Sequence, residues 1–237
     1  MNNMDLWNNV SKTDPKYTKF NKNLNGRPQT SIVPMYIFKL ATEEFGPVGK
    51  GWGYEITEER FDEGAPVFIE KDKIGNEIMH TCLVKVWYML DGDRCEIAQY
   101  GHTPYIMSTK YGLKTDFDAP KKSLTDGIKK ALSLVGFAAD IFMGEFDDQE
   151  YVANRQQESD IERAENKDAE ITRQHEEYIA EMSKIVEQIK ESKTLGQLNG
   201  LRNLAIRKAN YRNDTKLIMR IEEISKEVSD NIKGEEK

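Results

Sequence analysis

Lysine side chains are concentrated in two stretches of a chain that is acidic overall. Between Met107 and Ser133 there are six lysines against three aspartates: Lys110, Lys114, Lys121, Lys122, Lys129 and Lys130. Residues 10–30 hold a second group against Asp14 alone: Lys12, Lys16, Lys19, Lys22 and Arg27. Such clusters are suited to holding phosphate groups along a track. The alternative is a solvated surface without a ligand, because lysine is mostly exposed in any protein.

Aromatic residues occur near both lysine stretches. Exposed rings are platforms on which unpaired bases stack, whereas buried rings dominate protein cores. Strand alternation places either Trp87 or Tyr88 in a core, but not both. The candidates for the two roles are Tyr17, Phe20, Tyr36, Trp52, Tyr54, Trp87, Tyr88, Tyr105 and Tyr111.

Other chemistries find little support in the sequence. His80 and Cys82 point to the same face of one predicted strand, and Cys95 lies on its hairpin partner. Together with His102 they could be taken for a zinc site, but their spacing matches no common zinc module. The acidic pairs at 43–44, 62–63 and 147–148 invite a nuclease interpretation, but no paired-strand carboxylate motif accompanies them. The glycine-rich segment 46–51 follows a helix and precedes a strand, which is the reverse of a phosphate-binding loop. We therefore predict no catalytic residue, no metal and no cofactor.

Composition sets further limits. With 34 Lys and Arg against 41 Asp and Glu, the formal charge is −7. That total by itself argues against a nucleic-acid binder. However, the net charge is about +3 between Met107 and Ser133 and about +4 in residues 10–30, and the rest of the chain is acidic. No apolar run approaches the ~18 residues that a membrane span requires, and the start of the chain has no leader pattern. Two cysteines offer no disulfide framework. We expect a cytoplasmic protein with no membrane segment.

The composition changes near residue 150, beyond which no Trp, Pro or Phe occurs. This predicts an N-terminal domain over 1–151, a charged linker or solvated helix over 152–170, and a helical C-terminal module over 171–237.

The N-terminal domain is predicted to be α+β. Pro34 opens a helix that stops at Gly46. Strand patterns follow at 53–60, 66–70, 79–90 and 94–100, with Asp91-Gly92 as a hairpin turn. A second helix follows Asp118, so two helices should pack on one face of an antiparallel sheet. The module should contain three helices: one with apolar residues from Ile171 to Ile189, one capped by Thr194 and one starting at Asn213 or Asp214.

Several motifs in the first 151 residues resemble those of the Rad fifty-two superfamily of single-strand annealing proteins, and most closely its bacteriophage branch. One is Leu40-Ala41-Thr42-Glu43-Glu44-Phe45-Gly46 followed by Gly51-Trp52; another is Leu124 to Leu132 with Gly136. Tyr100-Gly101 lies between them, as in that superfamily. The phage-type motifs are Thr13-Asp14-Pro15, Gly49 to Gly53, Ala119 to Asp126 and Gly136 to Asp140.

The resemblance implies an ATP-independent phage recombinase, without enzymatic bond chemistry, that binds single-stranded DNA as an oligomeric ring or filament and pairs complementary strands for recombination and repair. It also implies that Lys129 and Lys130 contact the DNA backbone, that Ser133 stands where eukaryotic members have an Arg, and that Lys19 or Lys22 supplies a further contact. The module would dock a phage exonuclease or the host single-strand-binding protein, or only assist assembly. The alternatives are a metal-dependent nuclease and a structural or host-interaction protein.

Overall fold

The structure is a computed structural model that describes residues 2–22 and 28–235. The chain divides into two compact units, Met1–Arg155 and Gln156–Lys237. The boundary falls inside a helix, four residues after the end predicted for the N-terminal domain. Each unit has its own apolar core.

The first unit is α+β, as predicted, and consists of helices, a two-stranded sheet and a four-stranded antiparallel sheet. Its helices are α1 (Asp5–Val10), α2 (Pro34–Phe45), α3 (Ala119–Ser133), α4 (Ala139–Phe142) and the first half of α5 (Gln149–Arg163). Its strands are β1 (Thr18–Lys22), β2 (Pro28–Ile32), β3 (Trp52–Ile69), β4 (Asp72–Leu90), β5 (Asp93–Thr109) and β6 (Gly112–Thr115). β1 and β2 pair with each other, and the main sheet has the order β3-β4-β5-β6.

Local sequence explains the main boundaries. Pro34 occupies the first turn of α2, and Gly46 ends it with φ of 97°, a conformation that favours glycine. Asp91 and Gly92 both have positive φ, 51° and 91°, which is the geometry of the tight β4–β5 turn. The helix start and the hairpin predicted from the sequence are thus confirmed.

The strands differ from the prediction in length. Residues 53–60 and 66–70 belong to a single strand, β3, and not to two. Its pairing with β4 shifts register between Glu63 and Pro66, so the strand continues through a bulge. β3 lies at the edge of the sheet, where the missing N–H of Pro66 and an irregular ladder cost little. The short elements α1, β1, β2, α4 and β6 carry too little periodicity to be read from the sequence.

The core lies on one face of the sheet, between it and α2 and α3. Val84 and Val86 of β4 are fully buried there, against Ile37 of α2 and Leu132 of α3. Tyr88 belongs to this core, whereas Trp87 points to the opposite face and is partly exposed. The prediction that only one of these two aromatics is buried is confirmed.

Two glycines allow α3 to lie very close to the sheet. A Cβ placed on Gly101 would lie 1.9 Å from the carbonyl oxygen of Ser123, and one on Gly127 would lie 2.7 Å from Cγ2 of Val84. Neither site has room for a side chain without moving the helix. The pair Gly101 and Gly127 therefore fixes the position of α3 on β4 and β5.

The second unit contains the end of α5 and three helices, α6 (Lys167–Lys190), α7 (Leu195–Tyr211) and α8 (Thr215–Glu235). Thr194 caps α7 by accepting a hydrogen bond from the N–H of Gln197 at 3.2 Å, and Asp214 caps α8 through the N–H of Leu217 at 3.1 Å. Ile189, Ala205 and Ile221 are fully buried in its core. The three predicted helices are present.

Of the two forms expected for residues 152–170, helix is the one observed, in α5 and the start of α6. Asn154, Arg155 and Ser159 are buried, so α5 is not solvated on every side.

Candidate nucleic-acid interface

α3 carries four of the predicted site lysines on the surface that faces away from the sheet. Its inner side is formed by Ala119, Ser123, Gly127, Ile128, Ala131 and Leu132, all buried. Lys121, Lys122 and Lys130 are exposed, and Lys129 is half-buried. The helical period of about 3.6 residues produces this division between packed and outward residues.

Each of these lysines has a carboxylate beside it. Lys121 Nζ lies 3.1 Å from Asp118, and Lys122 pairs with Asp116. Lys129 and Lys130 share the carboxylate of Asp126, at 4.0 and 2.9 Å.

The Lys122 ammonium holds the pKa of Asp116 below its ordinary value by donating it a hydrogen bond. Exposed pairs of this type contribute only about 0–1 kcal/mol. Their lysines are therefore available to exchange a carboxylate for a phosphate.

Lys110 and Lys114 lie on the β5–β6 hairpin that leads into α3. Lys110 is in the turn, with its ammonium 4.9 Å from the ring centre of Tyr111. Lys114 is exposed on β6 opposite Met107, and its charge also acts on Asp116. Lys114 and Lys122 are thus brought to the same carboxylate from the two sides of the β6–α3 connection.

Lys19 and Lys22 lie elsewhere, on β1. Lys19 is exposed and opposite Ser31 of β2. Lys22 is the last residue of β1, and Arg27 lies outside the described residues. Among the hydrogen bonds and ion pairs of the described ranges, none joins Lys19 to α3. Lys19 and Lys22 therefore belong to the separate two-stranded sheet of β1 and β2, and not to α3 or the β5–β6 hairpin.

Two exposed aromatics accompany the lysines between Met107 and Ser133. Tyr111, in the β5–β6 turn, is 87% exposed, and Phe117, between Asp116 and Asp118, is 82% exposed. Phe117 carries no sequence signal of its own, because it stands alone between two acids, outside any strand or helix pattern. Of the other candidate platforms, Tyr36, Trp52 and Tyr88 are buried in the core, whereas Phe20 is 70% exposed on β1.

The sheet face opposite the helices is polar and was not anticipated. The hydroxyl of Thr81 donates to Asp62 at 2.6 Å and lies 3.1 Å from Nδ1 of His102. That hydroxyl and the guanidinium of Arg60 lower the pKa of Asp62.

A second group on this face centres on Arg94. Its guanidinium lies 4.5 Å from the centre of the Trp87 ring and donates a hydrogen bond to Glu96 at 3.1 Å. Hydrogen bonds from Arg94 and Lys85 lower the pKa of Glu96. On this face the carboxylates Glu55, Glu58, Asp62 and Glu96 outnumber the basic side chains Arg60, Lys85 and Arg94. The face is therefore a poor site for phosphate.

The four metal candidates do not converge. Cys82 faces the helices, and burial raises the pKa of its thiol. His80 is buried on the same side, with Nε2 3.0 Å from Glu59, whereas His102 is on the opposite face. Within the described ranges, no three His, Cys, Asp or Glu side chains form a group suited to a metal ion.

No helix in those ranges is long and apolar enough to span a bilayer.

Comparison with known proteins adds no relative. No protein-family model matches the chain, and no curated protein is similar enough to count as a match.

Proposed function

We propose that this protein binds single-stranded DNA without ATP and anneals complementary strands during phage recombination and repair. The observation that carries the proposal is the arrangement of α3. Its inner side is fixed on the sheet by Gly101 and Gly127, and its outer side presents Lys121, Lys122, Lys129 and Lys130. A rigid helix with a basic outer surface supplies a positioned row of phosphate contacts.

The chemistry of annealing suits such a surface. Lysines that hold phosphates leave the base edges free to test a second strand. No bond is made or broken, so no catalytic acid, base or metal is needed. With six lysines and three aspartates, the segment from Lys110 to Lys130 keeps a net charge of +3. Tyr111 and Phe117 add exposed rings on which bases can stack.

The motif resemblance supports the same function. The Tyr100-Gly101 and Thr125-Asp126-Gly127 motifs lie against each other, since Gly101 contacts the backbone of α3 at Ser123 and Gly127. Trp52 donates a hydrogen bond to Thr42 at 3.2 Å, which joins the two parts of the first motif. Ser133 stands where eukaryotic members of the superfamily have an Arg. The hydroxyl of Ser133 donates a hydrogen bond to the carbonyl of Lys130. In this proposal Lys110, Lys114 and Lys122 make up for the contact of that Arg.

An annealing assay tests the function directly. The full chain is mixed with two complementary labelled strands, with and without Mg²⁺ and with no ATP. The proposal expects faster duplex formation with both strands intact. Degradation of the strands in Mg²⁺ favours the nuclease alternative, and indifference to DNA at every salt concentration favours a structural or host-interaction role.

We further propose that the second unit docks a phage exonuclease or the host single-strand-binding protein in the infected cell's cytoplasm. A cavity of about 320 Å³ between α6 and α8 supports this. It is lined by Tyr178, Ile179, Met182, Leu217 and Arg220, and Ile179 is 53% exposed. Arg220, Glu187 and Asp214 also line the groove, so it suits a partner segment with apolar residues and charges of both signs.

The variant Ile179→Glu separates docking from assembly. Ile171→Glu, on the same helix and 49% exposed, is the matched control. Docking predicts that only Ile179→Glu fails to anneal strands coated with the host protein, while it still anneals naked strands. If Ile179→Glu instead changes the size of the oligomer, the module serves assembly.

A further inference from the structure

An open apolar groove lies between α2, α3 and the start of β3. We call it the α2–α3 groove; its volume is about 660 Å³, in the range of sites that take an apolar group. Its apolar lining is Met35, Phe38, Val48, Trp52, Tyr54 and Ile128. Met35 is 68% exposed and Val48 59% exposed.

The same unit presents an exposed apolar pair of side chains beside acidic residues. We call residues 142–148 the acidic knob. Phe142 and Met143 are 50% and 68% exposed at its start. Phe146 is buried and packs edge-on against Tyr151, with ring centres 5.6 Å apart, which fixes the knob in place. A segment already held by such packing loses little conformational entropy on docking.

The charges around the two features are complementary. The knob adds exposed Glu145, Asp147 and Asp148 to its apolar pair, and no Lys or Arg occurs from residue 131 to residue 154. Thr125 of α3 lines the groove, and Lys121 and Lys129 lie one helical turn on either side of it.

Around the groove, lysines outnumber the carboxylates that they pair with. Lys39 pairs with Glu43 at 3.1 Å, Lys121 with Asp118, and Asp126 is shared by two lysines. Lys39 and Glu43 balance each other, so it is the α3 side, with three lysines paired to two carboxylates, that keeps an excess positive charge for an acidic partner.

The knob does not line the groove of its own chain. Phe146 and Asp147 line a cavity together with Thr18 and Thr30 of the β1–β2 hairpin, whereas the groove is formed by α2, α3 and β3. The partner that the two features fit is a second copy of this chain.

We infer that the acidic knob of one copy inserts Phe142 and Met143 into the α2–α3 groove of the next. Because groove and knob are different surfaces, this contact is head-to-tail and generates a ring or a filament. The inference deepens the proposed function, since it places the next copy beside the DNA-binding lysines of α3. The mass of the oligomer tests this contact, because that mass does not depend on annealing.

The test uses sedimentation or light scattering of the full chain. The groove variant is Met35→Glu with Val48→Glu, and the knob variant is Phe142→Glu with Met143→Glu; all four side chains are at least half exposed. Met219→Glu on α8, 72% exposed, is the control. We expect the wild type and the control to form multi-copy assemblies, and each double variant alone to fall to the monomer mass of 27.3 kDa.

The mixture of the two variants gives the sharpest result. One intact groove and one intact knob remain, so the mixture should form a dimer of one copy of each and grow no further. A monomeric wild type, double variants of wild-type size, or a mixture that stays monomeric overturns the inference. Loss of DNA binding by the groove variant at unchanged mass also overturns it, because the groove would then hold bases. If the variants assemble as expected but the wild type does not anneal DNA, the proposed function is contradicted and the knob-in-groove contact is not.

A cysteine pair covers the case in which a double variant misfolds. Val48→Cys in one population and Met143→Cys in another should give a cross-linked dimer when mixed and oxidised. The wild type, in which Cys82 is buried and Cys95 partly buried, gives the background. No cross-link above that background contradicts the knob-in-groove contact.

Discussion

Asp140 accepts two hydrogen bonds from Thr13, a residue 127 positions earlier in the chain. The Thr13 N–H lies 2.6 Å from one carboxylate oxygen, and its hydroxyl lies 2.7 Å from the other. The hydroxyl of Tyr151 donates to the same carboxylate at 3.0 Å, and burial beside this charge raises the pKa of Tyr151. Thr13-Asp14-Pro15 and Gly136 to Asp140, two of the motifs that resemble those of annealing proteins, thus meet in a buried polar cluster.

Asp140→Asn should destabilise the first unit by about 2–3 kcal/mol. The side chain is only 4% exposed, and hydrogen bonds to a buried charge are worth about 1.5–3 kcal/mol. Urea unfolding followed by Trp fluorescence measures this, because all three Trp are in the first unit. Asp147→Asn, an exposed acid nearby, is the control and should change stability by less than about 0.5 kcal/mol. Equal stability of the two variants would refute a structural role for the cluster.

Gly127→Ala and Gly200→Ala should change stability in opposite directions. At Gly127 the new methyl would meet Val84 at 2.7 Å, and overpacking of this kind costs about 1–3 kcal/mol. Gly200 lies inside α7 with nothing within 4 Å, so alanine should stabilise by about 0.5–1 kcal/mol through helix propensity. Scanning calorimetry measures both effects, and a stable Gly127→Ala would show that α3 does not depend on this close approach.

The sequence predicts this fold where local patterns decide it. Pro34 and Gly46 bound α2, and Asp91-Gly92 determines the hairpin, because those conformations depend on a few neighbouring residues. The continuation of β3 through Pro66 depends on its position at the sheet edge, which emerges only from the complete sheet. The Thr13–Asp140 contact likewise joins residues that no periodicity relates.

In the candidate site, too, some features follow from local sequence and others depend on tertiary structure. The lysines of α3 follow from helical spacing, since the apolar positions determine which residues point outward. Their shared carboxylates at Asp116 and Asp126 depend on rotamers and on the β6–α3 connection. The place of Lys19 on a separate hairpin depends on tertiary packing.

Asp126→Asn should strengthen binding of single-stranded DNA. It removes the carboxylate that Lys129 and Lys130 share and leaves both ammonium groups to phosphate. One exposed ion pair is worth up to about 1 kcal/mol, so a gain of about 2–5-fold is expected. Fluorescence anisotropy with labelled oligonucleotide measures it. Asp72→Asn, at the β3–β4 turn, makes the same charge change elsewhere, and an equal gain there would mean that only net charge matters.

The second unit should respond to acid through Glu170. Hydrogen bonds from Arg173 and Gln174 hold the pKa of Glu170 at about 2, below its ordinary 4.5. Because the folded pKa is lowered, this contribution to stability is complete above about pH 4.5 and is lost as the pH falls through 2. Arg173→Gln should raise the pKa of Glu170 towards 4.5. Carboxyl NMR titration checks this, and an unchanged pKa in the variant would show that Arg173 is not its cause.

The salt dependence of single-stranded DNA binding tests the central claim most directly. Each phosphate contact with a single strand contributes about 0.7 to the slope of log K against log salt. Lys129→Ala with Lys130→Ala should therefore reduce the slope by about 1.4 and weaken binding about 10-fold or more. Lys71→Ala with Lys73→Ala removes the same charge from the exposed β3–β4 turn and should leave the slope unchanged. A folded Lys129/Lys130 variant with the wild-type affinity and slope would contradict the assignment of α3 as the DNA-binding element.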